Sequence, residues 1–161
     1  MPLAYWSLGS NLGDREGFLA KAREAFNTKF GAPRFSNIYE TEPVDVTNQP
    51  WFLNQVVEVE THESPESLLE WARSLEAAQD RQRDVPKGPR TLDVDLLLLG
   101  ESLKRKGDPL IPHPRMSQRR HVLAPLAELA PNLKIPGLSL TVAEALDQVK
   151  DEAQVRIHVE P

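Results

Sequence analysis

An α+β fold follows from three features of this 161-residue chain. Two stretches carry apolar residues at helical spacing, Phe18, Leu19, Ala22, Ala25 and Phe26 in one and Leu68, Leu69, Ala72, Leu75 and Ala78 in the other. Between and after them lie short β-patterned runs, among them residues 91–99, which end in four consecutive leucines before Gly100. The length fits one domain over residues 1–161, and no repeat, linker or low-complexity segment divides it.

The elements follow in order. Apolar residues 3–8 break at Gly9-Ser10-Asn11, and Asp14 stands before the first helical stripe, so the chain opens as strand, tight turn and helix. Residues 34–39 form a short strand bounded by Pro33 and by Glu42-Pro43. Residues 52–61 form a longer one, alternating Val57, Val59 and Thr61 with Glu58 and Glu60. Ser64 and Pro65 are an N-cap and first-turn pair for a helix reaching Arg81. The near-continuous aliphatics of residues 91–99 read as a central strand with two acids at its beginning. Residues 122–129 read as a short helix interrupted by Pro125. Thr141-x-x-Glu144 is a capping box for a helix through Val149, and residues 155–159 alternate as a last strand. Many of the 14 prolines fall in residues 42–50, 80–89 and 109–114, which are expected to be ordered loops.

Composition narrows the function. The chain has no cysteine, which excludes disulfides, thiol nucleophiles, iron–sulfur clusters and thiolate zinc sites and suits a cytoplasmic protein. A net charge of −5 speaks against a general nucleic-acid or anionic-membrane binder. The start lacks the basic and apolar regions of a signal peptide, and the longest aliphatic run, residues 96–99, cannot span a bilayer.

Asp93 and Asp95 lie two apart on a strand, so both carboxylates face one side and can hold a hard cation with oxygen ligands. A solvated strand start would present the same pair. Just before them, residues 81–90 gather Arg81, Arg83, Lys87 and Arg90 in an otherwise acidic protein. Cations beside a metal-binding pair suit a polyphosphate, whose charge both neutralise, although the same cations could simply solvate the loop. His113, fixed between Pro112 and Pro114, opens a second cationic cluster with Arg115, Arg119 and Arg120. In residues 49–54, Phe52 offers a ring for a flat heterocycle and Asn54 an amide for its edge, with core packing as the alternative. The Gly9-Ser10-Asn11-Leu12-Gly13 turn lacks the spacing and lysine of a phosphate loop and reads as a strand-to-helix turn.

These segments resemble the 6-hydroxymethyl-7,8-dihydropterin pyrophosphokinase family. The resemblance rests on Ser7-Leu8-Gly9-Ser10-Asn11-Leu12-Gly13-Asp14-Arg15, Tyr39-Glu40-Thr41-Glu42-Pro43-Val44, Phe52-Leu53-Asn54, Gly88-Pro89-Arg90-Thr91-Leu92-Asp93-Val94-Asp95 and Ile111-Pro112-His113-Pro114-Arg115-Met116, in the family's order over nearly the whole chain. It implies a ferredoxin-like α+β sandwich, with a mostly antiparallel sheet, that transfers a diphosphate from ATP to the hydroxymethyl group of the pterin. Two Mg²⁺ ions are expected, on Asp93 and Asp95. Arg81 and Arg90 take the place of the family's catalytic-loop arginines. His113 and Arg119 match its ATP-phosphate contacts, with Glu76 and Arg83 at further nucleotide positions. Thr41, Val44, Phe52 and Asn54 fall on the pterin side.

The chain departs from the family pattern at Asp80, at Lys87 and at His121, where the family usually has Gly, Trp and Phe. His121 is expected to face the pterin opposite Phe52, as a ring that titrates near its reference value of about 6.5. The alternatives are a paralogue acting on another alcohol and a non-catalytic nucleotide-binding module. A monomer is the expected state.

Overall fold

In chain order the elements are β1 (Leu3–Ser10), α1 (Arg15–Lys29), β2 (Arg34–Phe35), β3 (Tyr39–Thr41), β4 (Phe52–Glu60), α2 (Pro65–Ala78), β5 (Asp93–Leu99), α3 (Arg120–Leu129), α4 (Val142–Gln148) and β6 (Val155–Ile157), with a turn of 3₁₀ helix at Met116–Gln118. The structure, a computed structural model, describes residues 2–43, 48–79 and 91–158. The sheet runs β5-β1-β4-β3-β6, with β2 on the far end of β4, and every pairing among the described residues is antiparallel. Through β5, with β2 and β3 together filling one strand position, the chain follows the βαββαβ path of the ferredoxin-like fold; α3, α4 and β6 are added to it.

Alternation assigns the two faces. Trp6 and Leu8 of β1, Leu53 and Val57 of β4, and Val94 and Leu96 of β5 face α1 and α2, which contribute Leu19, Ala22, Phe26, Leu68 and Ala72. Phe26 sits in an aromatic cluster, edge to face with Trp6 at 5.5 Å and with Trp71 at 4.8 Å between ring centroids. Both helices begin where their caps stand. Asp14 accepts from the Gly17 N–H at 3.0 Å, and Ser64 accepts from Ser67 at 3.1 Å ahead of Pro65. On the opposite face Tyr5, Val56, Leu97 and Leu98 meet Val122, Leu123 and Leu126 of α3 and Val142 and Ala145 of α4.

Several sequence expectations are corrected. Among the described residues β5 is an edge strand, not a central one. Its leucines are continuous because both faces are covered: Leu96 and Leu99 go to one core, Leu97 and Leu98 to the other. A register slip opposite Tyr5 and Trp6 puts neighbouring leucines on one face. The open edge is closed by other means, since the Val94 N–H donates to Glu76 Oε2 at 2.8 Å and the Leu97 carbonyl accepts from His113 N–H at 2.8 Å.

Residues 34–39 are not one strand. The register slips by one residue between Phe35 and Tyr39, where the Ser36 hydroxyl accepts from the Val56 N–H at 3.0 Å in place of a ladder bond. Pro125 does not interrupt its helix: α3 runs continuously from Arg120, and the proline forgoes only the bond to the His121 carbonyl. α2 ends at Ala78 with Gln79 as its C-cap, short of the expected Arg81, and residues 80–90 lie outside the described residues, as do residues 44–47 and Val159. Among the described residues no helix is long and apolar enough to cross a membrane.

Phe26 is fully buried, so Phe26→Ala removes a ring from a packed cluster and is expected to cost about 3–5 kcal/mol. Urea unfolding followed by tryptophan fluorescence measures it; a loss under roughly 1 kcal/mol contradicts the packing described.

Candidate active site

The second sheet face is covered along only part of its length. Above Tyr5 and Val56 the same alternation presents Ser7 and Gly9 on β1, Phe52 and Asn54 on β4, and Asp93 and Asp95 on β5. α3 begins at Arg120 and stops short of them, leaving an open cleft of about 840 Å³ with its mouth included. Thr41, Glu42, Gln49, His113, Arg119, His121 and Val122 also line it.

Gly9 is the narrow point of the floor, paired with Asn54 on one strand and Asp93 on the other. A Cβ there would come within 2.8 Å of Asn54 Nδ2, so only glycine lets the amide lie across β1. The amide is oriented from two sides. The Thr41 hydroxyl donates to Asn54 Oδ1 at 2.5 Å, and Asn54 Nδ2 donates to the Leu8 carbonyl at 3.4 Å. One N–H and one carbonyl lone pair remain for a ligand edge. The glycine-rich turn after β1 braces this wall. Asn11 donates to Gln49 Oε1 at 2.8 Å and to the Pro50 carbonyl at 2.9 Å, and Arg15 donates to the Trp51 carbonyl at 3.0 Å.

Asp93 and Asp95 are half-buried and lie opposite the small residues Gly9 and Ser7 of β1. Among the described residues no cluster of three or more His, Cys, Asp or Glu side chains could hold a metal ion. Two carboxylates as the protein's share fit a small hard cation that keeps water and phosphate oxygens as its other ligands, which is the habit of Mg²⁺. Glu76 lies behind β5, not in the cleft lining; its carboxylate is buried and holds the Val94 N–H between the two aspartates.

Both cleft histidines are neutral. Burial, then the Arg119 guanidinium, pushes His113 down to about 4 against the pull of Asp93. Its Nδ1 accepts from the Arg115 N–H at 3.2 Å, which leaves the ring proton on Nε2. Burial and Arg119 likewise push His121 down to about 4, correcting the expectation that it titrates near 6.5.

Thr41, Phe52, Asn54, Asp93, Asp95, His113, Arg119 and His121 are thus brought together, with Phe52 and His121 on one cleft. Val44, Arg81, Arg83 and Arg90 lie outside the described residues. Sequence reasoning missed Ser7, Gly9, Glu42, Gln49, Leu97 and Val122 as lining residues. The signal for the first two was present, since they interrupt an apolar strand at period two.

Residues 5–131 match the family model for 7,8-dihydro-6-hydroxymethylpterin-pyrophosphokinase. The chain is similar to the 2-amino-4-hydroxy-6-hydroxymethyldihydropteridine pyrophosphokinase of Bacillus subtilis, 38% identical over 96% of this chain and 89% of the relative. It is also similar to that of Methylorubrum extorquens, 39% identical over 98% of this chain and 99% of the relative. Among solved structures it resembles the HPPK-DHPS of Plasmodium falciparum in fold, with a TM-score of 0.70 at 15% identity, covering 92% of this chain and 43% of that one.

The lowered histidine values carry a sign. The unfolded chain takes up protons near the reference value of about 6.5, whereas the folded chain resists until about 4, so stability is full above that upper value and falls between the two. His121→Phe removes one of the two groups. Its melting temperature is expected to fall less than that of the parent on going from about pH 7 to about pH 5; equal slopes contradict the burial of a neutral His121.

Proposed function

The chain belongs to the 7,8-dihydro-6-hydroxymethylpterin-pyrophosphokinase family, and from that premise we propose that its two substrates meet over the uncovered half of the sheet. The protein is an ATP-dependent diphosphotransferase of folate biosynthesis: the pterin hydroxymethyl oxygen bonds to the β-phosphorus, the bond from that phosphorus to the α-phosphate bridging oxygen breaks, and AMP leaves. The observation that carries the reading of the cleft is its division, with a ring and an oriented amide on one side and carboxylates beside a histidine and an arginine on the other.

On the pterin side, Phe52 and His121 enclose the flat ring and the Asn54 amide, held by Thr41, reads its donor and acceptor edge. Val44 belongs to this group by its motif. On the phosphate side, neutral His113 donates from Nε2 to a phosphate oxygen and Arg119 adds a paired fork of donors. Arg81 and Arg90 are assigned to charge that develops on the transferring group, and Arg83 to the nucleotide, on the motif alone. Glu76 acts for the nucleotide site from behind β5, by fixing the strand that carries both aspartates.

Asp93 and Asp95 would hold Mg²⁺, which when bound supplies positive charge against the triphosphate and acidifies an alcohol it contacts. Two ions are part of this proposal. Neither histidine of the cleft has a raised affinity for protons, and the catalysis is assigned to positioning and charge neutralisation. A monomer is part of the same proposal.

Incubation with Mg²⁺, ATP and 6-hydroxymethyl-7,8-dihydropterin is expected to yield AMP in step with the pterin diphosphate; ADP as the sole nucleotide product overturns the reading. Asp93→Ala and Asp95→Ala are expected to lower AMP formation by more than about tenfold, roughly 1.4 kcal/mol of barrier, while retaining the fold. A variant keeping over about a tenth of the parent rate removes that residue from the metal assignment.

A further inference from the structure

The C-terminal part of the chain, beyond the residues that match the family model, reaches back to the pterin side of the cleft. β6 pairs with β3 so that Val155 faces Thr41 and Arg156 faces Glu40. The Glu42 N–H donates to the Gln154 carbonyl at 2.9 Å, and the Gln154 N–H donates back to Glu42 Oε1 at 3.2 Å. One end of the segment that lines the cleft is therefore fastened to β6.

Arg156 fastens the other end. Its guanidinium lies over the Trp51 ring, 4.9 Å from the centroid, and donates through Nε to Glu40 Oε1 at 3.1 Å, with a second bond from its terminal nitrogen. Arg15 grips the remaining Glu40 oxygen at 3.3 Å and the Trp51 carbonyl at 3.0 Å. Glu40 thus lies between two arginines, which hold its carboxyl below the usual range. Thr41 follows Glu40 and Phe52 follows Trp51, and the two are directly paired across the strands. What Arg156 grips on one face sets the positions of Thr41, and through it Asn54, and of Phe52 on the other.

We propose that Arg156 is a positioning residue for the pterin subsite, holding the β3–β4 wall from the opposite face of the sheet; this rests on the reading of Thr41, Phe52 and Asn54 as that subsite. It touches neither substrate. Its removal loosens the pterin wall and leaves β5, with Asp93 and Asp95, unchanged.

The test uses the full chain with Arg156→Ala and Arg156→Lys, each measured for kcat, for both KM values and for backbone amide exchange. Arg156→Ala is expected to raise the pterin KM about three- to tenfold with kcat and the ATP KM within twofold, in keeping with the modest strength of an exposed cation–π contact. Arg156→Lys, which keeps a charge for Glu40 but loses the paired donors to it and the planar group over Trp51, is expected to fall between. Exchange is expected to quicken at residues 39–42 and 51–54 and to stay unchanged at residues 93–99. The proposal is overturned if the pterin KM moves less than threefold, if kcat or the ATP KM moves with it, or if exchange quickens across the whole sheet. Failure of the parent protein to use the pterin would sink the functional reading instead, and the exchange pattern would still decide the proposal about Arg156.

Discussion

Everything in the cleft depends on the alternation of side chains along three paired strands and on where a second layer of helices stops. On β1, β4 and β5 every other residue enters the core under α1 and α2. The residues between them must then face the other way, and there α3 and α4 cover only the half containing Tyr5, Val56, Leu97 and Leu98. Packing energy fixes the backbone from one side so that polar groups can stand in fixed positions on the other. Buried apolar strands thus hold Asn54, Asp93 and Asp95 without those residues having to pack themselves.

The edge position of β5 sharpens the same point. An edge strand with free N–H and carbonyl groups would be a poor support for two carboxylates. Glu76 and the His113 backbone satisfy that edge from opposite ends, one from the helix behind and one from the segment that also carries the His113 ring into the cleft. The two aspartates are therefore tied to both α2 and a cleft wall. The turn after β1 has a corresponding duty on the other side, where Asn11 and Arg15 hold Gln49, Pro50 and Trp51.

Much of this was legible in the sequence, for physical reasons that differ by element. Caps at Asp14, Ser64 and Thr141 are local, and the structure starts those helices where the residues place them. The period-two carboxylates were readable because alternation needs no tertiary information. Edge or centre was not readable for β5, since a strand covered on both faces has the same pattern in either place. The break between β2 and β3 depends on a side-chain bond from Ser36 to a strand far along the chain, which leaves no local trace. The reach of Arg156 to Trp51 and Glu40 is also non-local, and no spacing along the sequence announces it.

The central claim is that one half-covered sheet face holds both substrates, with the pterin on the Phe52 side and the triphosphate on the Asp93 side. The most direct measurement is a crystal structure of the protein with Mg²⁺, a non-hydrolysable ATP analogue and 6-hydroxymethylpterin. The account predicts the pterin ring between Phe52 and His121 with its edge on Asn54, and the triphosphate between the two aspartates and the pair His113 and Arg119. A pterin bound away from Asn54, or phosphates lying outside the space between Asp95 and Arg119, would contradict it.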